Sequence, residues 1–268
     1  MALSSVISSS ESRLDRTWTA LRTAGRPALI PYLTAGFPTV DDSLAALRVA
    51  DAHADVIEVG VPFSDPLADG PTIQASTFKA LANGMTLPGT LALIARAELR
   101  APVVLFSYFN PVLQYGVTRL LADAAAIGVA GLLLTDLPAG ADPATEAEVR
   151  TSPLDLIRLV APTTASERIS RAVNGGQGFI YLVARLGVTG ASRELATGLE
   201  ESVARVRAAT ALPIAVGFGI STAEQARVVG RLADGVVVGS ALVDVLGARG
   251  VTAAGVFLRE LRAAIEGR

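Results

Sequence analysis

The chain has 268 residues, 51% of them hydrophobic and 18% charged, with a formal net charge of -2. That length suits one (β/α)8 barrel, which needs about 250 residues, and the near-neutral balance supplies no basic field to draw in nucleic acid or an anionic membrane. With no cysteine and one histidine, His53, a Cys/His zinc site and a cysteine nucleophile are excluded, and Lys79 is the only lysine that could form a Schiff base.

Residues 1–10, MALSSVISSS, lack the positive start and long apolar block of a secretory signal, and they read as a flexible tail on a cytoplasmic chain. Leu14, Trp18 and Leu21 then recur at helical spacing over 11–24, behind the candidate cap Ser10, with Trp18 as a core residue. A first strand and its loop follow at 28–38, and a helix at 39–54 ends beside His53, the ordinary place for a polar residue. Lys79 falls in a helical pattern that starts at Thr72, on its solvated face.

Further short, β-prone runs lie at 56–60, 103–107, 131–136, 154–160, 179–183, 213–217 and 236–239. Segments of helical period at 118–127, 200–209, 222–232 and 252–265 alternate with them. Eight such alternations without a dividing linker predict a single-domain α/β fold over 1–268, a (β/α)8 TIM barrel with an extra N-terminal helix. Two intervals are oversized, one after the second strand and one after the sixth. Both predict long loops over a substrate.

The stretch DVIEVGVPFSDPLADGPTIQ, 55–74, holds the first chemistry. Glu58 interrupts an apolar strand, where a buried charge is costly unless it is used or paired. Asp69 sits in a proline-rich loop whose LADGP sequence alone reads as a structural turn. Together at one strand's end they form a pair in unlike surroundings, a buried Glu58 able to carry a proton and a solvated, ionised Asp69. Tyr108, Asn110 and Asp136, at the ends of the third and fourth strands, either line the same mouth or bond strand ends.

Glycines follow the last three strands in GVTG (187–190), GFG (217–219) and GS (239–240). Each lets main-chain N–H groups approach an anion. Ser240 is placed to cap a short apolar helix closed by Gly247, with the final helix beginning near Val251, an order that fits phosphate binding after strands 7 and 8. GGQG at 175–178 precedes a strand and so does not read as a dinucleotide fingerprint.

The strings PYLTAGFPT, IEVGVPFSDPLADGPTIQ, SYFNPVLQYG, TDLPAGA, VAPTT, GFIYLVARLGVTG, LPIAVGFGIS and DGVVVGSALV closely resemble, in order, the tryptophan synthase alpha chain family. The resemblance implies a carbon–carbon lyase of tryptophan biosynthesis that splits indole-3-glycerol phosphate into indole and glyceraldehyde 3-phosphate by a retro-aldol reaction. It makes Glu58 the general acid/base at indole C3 and the side-chain hydroxyl, and Asp69 the acceptor of the indole N–H. Gly190, Gly219, Gly239 and Ser240 match phosphate-binding positions. Tyr32, Tyr108 and Phe218 would sandwich the indole, Tyr181 would stand at the reacting end, and Thr189 would meet Asp69 when a lid closes.

The same resemblance implies no cofactor in this chain and a beta chain partner carrying pyridoxal phosphate, in an α2β2 heterotetramer with Pro62, Asp65, Asn110 and Pro138 at the contact. Arg185 departs from the family's usual lid loop. Two readings stand beside this one, a solitary lyase releasing free indole and a non-catalytic barrel that senses a phosphate ligand. Retention of both carboxylates weighs against the sensor.

Overall fold

The computed structural model describes residues 11–161, 163–183, 192–217 and 219–267. Its strands are β1 (Ala28–Thr34), β2 (Ile57–Gly60), β3 (Val103–Ser107), β4 (Val129–Leu134), β5 (Asp155–Val160), β6 (Ile180–Val183), β7 (Ile214–Gly217) and β8 (Gly235–Val238). Each runs parallel to its sequence neighbours, and β8 pairs with β1, so the sheet closes into a barrel. Parallel strands need helical crossovers and are covered on both faces. Hence the runs are almost wholly apolar.

Alternation of side chains along each strand splits the core into two layers. On β1, Ala28, Ile30 and Tyr32 face the barrel interior, while Leu29 and Leu33 pack against the helices. The base of the barrel is plugged by α1 (Arg13–Thr23), whose Leu14, Trp18 and Leu21 are buried against Ile30, Val104, Ile157 and Phe179. The Trp18 and Phe179 rings lie 5.6 Å apart. Burial of each large apolar side chain contributes about 1.5–3 kcal/mol. The helix cap is Ser12, which accepts from the Asp15 N–H in a capping box and donates its hydroxyl to Asp155 at 2.6 Å. The candidate cap Ser10 lies outside the described residues.

Three helices fall close to their expected spans, α2 (Val40–Asp51), α6 (Val117–Ala126) and α10 (Ala223–Leu232), while α9 (Ser192–Arg207) begins well before the expected 200–209. The oversized second interval is not a long loop. It holds two helices, α3 (Pro71–Ala82) and α4 (Leu87–Ala97), and α4 adds Leu87, Leu91, Leu93 and Ile94 to the outer core. The part of that interval at the mouth is 61–70. Three short helices, α5 (Phe109–Tyr115), α7 (Pro143–Thr151) and α8 (Ser166–Ala172), span too few turns to show a period in the sequence.

The closing helix, α11 (Ser240–Ile265), is broken at Gly250, where φ is 78°. The expected stop at Gly247 is instead a close approach, since a Cβ there would meet the Phe37 ring at 2.8 Å. By length and composition α11 could cross a membrane. It packs along β1, α2 and α10 as a core helix.

Also at the base, Asp55 leads into β2 and accepts from both Arg26 guanidinium nitrogens (3.0 and 2.8 Å), from Arg262 on α11 (2.5 Å) and from the Leu29 N–H (2.9 Å). One carboxylate thus ties the start of β1, β2 and the last helix. Replacing it strands two arginines, one of them largely buried. Asp55→Ala is expected to lower unfolding free energy by about 3 kcal/mol in a denaturant titration.

Candidate active site

At the C-terminal end of the strands a cavity of about 390 Å³ opens between the strand ends and their loops. Val56, Glu58 and Gly60 alternate onto the inner face of β2, and Glu58 pairs in register with Tyr32 on β1. Glu58 is 0% exposed, and neither carboxyl oxygen has a hydrogen-bond partner among the described residues. Burial alone pushes its pKa from 4.5 up to about 8. At neutral pH it therefore holds its proton. Glu58 stands beside Tyr32, its register partner on β1; Tyr32 and Tyr181 line the cavity, and burial above all, then neighbouring acidic groups, raises both phenols.

Asp69 lines the cavity from the β2–α3 loop. Two turn bonds, Leu67 N–H to Asp65 O and Asp69 N–H to Pro66 O, shape that loop, and the Gln74 amide donates to the Pro66 and Asp69 carbonyls. The Tyr108 hydroxyl donates to Asp69 Oδ2 at 3.1 Å and accepts the Ala68 N–H at 2.9 Å. The sequence expectation of a solvated Asp69 needs correction. It is half-buried, and burial raises its pKa to about 6 against the lowering effect of the Tyr108 hydrogen bond. It remains mostly ionised at pH 7, with Glu58 neutral.

Two glycines give the tyrosines their places, Gly60, which carried no signal in sequence, and Gly217, which the sequence offered only as part of an anion-binding stretch. A Cβ on Gly60 would lie 2.0 Å from the Tyr32 hydroxyl, and one on Gly217 would lie 2.2 Å from that of Tyr181. Each ring fits only because the strand end opposite carries no side chain. Tyr32 also meets Phe106 edge-on, with centroids 5.3 Å apart. Ile73, Phe106 and Asp244, further wall residues, gave no signal in sequence beyond helix or strand period.

Opposite Asp69 the wall is formed by Gly219, Ile220, Ser221, Gly239, Ser240 and Ala241. Gly219 takes a φ of 82°, open to glycine at no steric cost. Ser240 does not cap α11. Gly239 occupies the cap position with no side-chain hydrogen bond, and Ser240 is the first helical residue. The first-turn amides of α11 are thus left without a side-chain acceptor at a cavity wall, the arrangement that binds anions.

The remaining expected site residues divide. Tyr108 does not line the cavity, and its ring packs on Phe63 while its hydroxyl holds the Asp69 loop. Asp136 is a strand-end hydrogen bonder, accepting the Phe109 N–H at the start of α5 (2.7 Å). Asp65, Asn110 and Pro138 are exposed around the mouth, but Pro62 is buried and presents no surface to a partner. Arg185, Thr189, Gly190 and Phe218 lie outside the described residues. His53 follows α2 at the base, far from the chemistry, and Lys79 is exposed.

A family model described as tryptophan synthase alpha chain matches residues 18–263. The chain belongs to that family. The tryptophan synthase alpha chain of Roseiflexus castenholzii is 51% identical over 239 residues, spanning 88% of this chain and 92% of that protein. That of Gloeobacter violaceus is 47% identical, over 88% and 87% respectively. Among solved structures, a Mycobacterium tuberculosis tryptophan synthase chain has a TM-score of 0.87 at 39% identity, covering 96% of this chain and 99% of that one. The alpha subunit from Legionella pneumophila has a TM-score of 0.87 at 32% identity, covering 97% and 100%.

As a tryptophan synthase alpha chain, the protein is a carbon–carbon lyase that cleaves indole-3-glycerol phosphate, and it works with a beta chain that holds the pyridoxal phosphate. The retro-aldol reaction needs an acid and a base in turn, so the neutral state of Glu58 matters. Its raised pKa favours the folded state fully below about pH 4.5, and that contribution is lost as pH rises through about 8. Glu58→Gln, which cannot ionise, is therefore expected to match the parent in Tm at pH 4 and to exceed it increasingly between pH 5 and pH 8. The gain should be on the order of 1 kcal/mol per pH unit and level off above pH 8. A difference in Tm that does not change with pH would contradict the assignment.

Proposed function

We propose that Glu58 and Asp69 carry the cleavage of indole-3-glycerol phosphate in this chain, the observation in favour being two carboxyl groups at one mouth held at pKa values of about 8 and about 6. Carboxyl groups pushed apart in this way can hold different protonation states at one pH. Glu58 gives its proton to indole C3. The positive charge that develops on the ring is met at the indole N–H by the Asp69 carboxylate. The bond from C3 to the side chain then breaks, its electrons restoring the aromatic ring, while the side-chain hydroxyl returns a proton to Glu58 as the aldehyde forms. Glu58 ends the cycle as it began, and no metal or Schiff base enters.

With no hydrogen-bond partner among the described residues, the Glu58 carboxyl can rotate toward a substrate lying between Tyr32 and Tyr181. Apolar walls from Ile73 and Phe106 suit the indole ring. The phosphate is assigned to Gly219, Gly239 and Ser240, against the unfilled amides of α11. Asp65, Asn110 and Pro138 are the exposed mouth residues available for the beta chain contact. The chain is assigned to the cytoplasm, in keeping with its relatives among soluble biosynthetic enzymes.

Purified protein, assayed with and without a beta chain, tests this directly. Glu58→Gln and Asp69→Asn are each expected to lower indole release at least about 100-fold, the scale of lost acid–base catalysis, while phosphate-ligand binding stays measurable. Near-normal turnover in either variant removes that residue from the mechanism. In the parent, kcat/KM should rise as Asp69 loses its proton near pH 6 and fall as Glu58 loses its own near pH 8. Tyr108→Phe removes the hydrogen bond that lowers the Asp69 pKa, so the acidic limb alone should move to higher pH.

A further inference from the structure

The cavity wall carries a charge that the cleavage does not use. Asp244 stands on α11 one turn beyond Ser240 and lines the cavity on the side of Gly219 and Gly239. Residues four apart on a helix share a face, and helical side chains lean toward the N-terminus. Its carboxylate therefore leans back toward the amides to which the phosphate is assigned. The Thr72 hydroxyl, in the first turn of α3 across the mouth, donates to it at 3.4 Å. Among the described residues no arginine or lysine lines this cavity to offset it.

A phosphate dianion at the start of α11 is drawn in by the helix dipole and free amides. One helical turn away it meets a like charge, at an exposed rim where the repulsion is partly screened. We propose that Asp244 sets the affinity of the site for phosphate esters, weakening substrate and phosphorylated product alike and so favouring product release. The inference rests on the phosphate assignment made above. An effect shared equally by bound states changes KM and release without touching the barrier of the chemical step.

Asp244→Asn separates charge from geometry, because its side-chain oxygen still accepts from Thr72. In the complex with a beta chain, competitive inhibition by glycerol 3-phosphate, a phosphate ester without the indole, is the readout. Asp244→Asn is expected to lower the inhibition constant about 3- to 10-fold at low ionic strength, with the gain shrinking toward 1 M salt. Thr72→Val keeps the charge and should leave the constant unchanged. Ser240→Leu, at an exposed position, should block the amides and raise it at least about 10-fold. If Ser240→Leu weakens the inhibitor and Asp244→Asn does not tighten it, the Asp244 inference falls while the phosphate assignment stands. Tightening by Thr72→Val to the same degree would make the effect geometric and also overturn it. No response to Ser240→Leu would place the phosphate elsewhere and remove both.

Discussion

Glu58 is buried inside the barrel with neither oxygen hydrogen-bonded among the described residues, and the arrangement of the mouth follows from keeping it that way. An ionised carboxylate in such surroundings costs several kcal/mol unless it is paired, so the group keeps its proton. An arginine beside it would restore the charge and remove the acid. The described wall of the cavity carries no basic side chain. The same absence leaves main-chain amides as the available grip for an anionic substrate. One constraint therefore shapes both ends of the pocket.

The barrel separates durability from chemistry along its axis. At the base, α1 fills the interior with Leu14, Trp18 and Leu21, and Asp55 joins two arginines from opposite ends of the sequence. At the mouth, Glu58 and Asp69 are held away from their ordinary protonation equilibria by burial. That perturbation opposes folding near neutral pH, and the packing below offsets it. The Asp69 loop shows how the two regions meet: Tyr108, at the end of β3, fixes a carboxylate that belongs to the loop after β2.

The alternation of strands and helices was legible in the sequence because each parallel strand is a short apolar run buried on both faces. Glu58 stood out as the only charge in its own run, and the proline-rich loop beside it pointed to Asp69. What escaped was set by contacts distant in sequence. Asp69 is held by Tyr108, from the end of a different strand. Ser240 has the composition of a cap, yet Gly239 takes the cap position. In the interval after β2 the helix from Thr72 was legible but α4 was not, because α4 begins with Leu-Pro-Gly, a weak helical signal that Thr86 rescues by accepting the Gly89 N–H.

Gly60 and Gly217 hold space open for the hydroxyls of Tyr32 and Tyr181, which stand where a methyl group would otherwise be. This gives the four positions a fixed order of evolutionary change. A tyrosine can shrink first and leave a gap that water or a larger neighbour fills. Neither glycine can gain even one carbon while its tyrosine remains. Drift at these strand ends is therefore directional, and lineages that have lost a ring here should be the ones in which the glycine opposite is also free to vary.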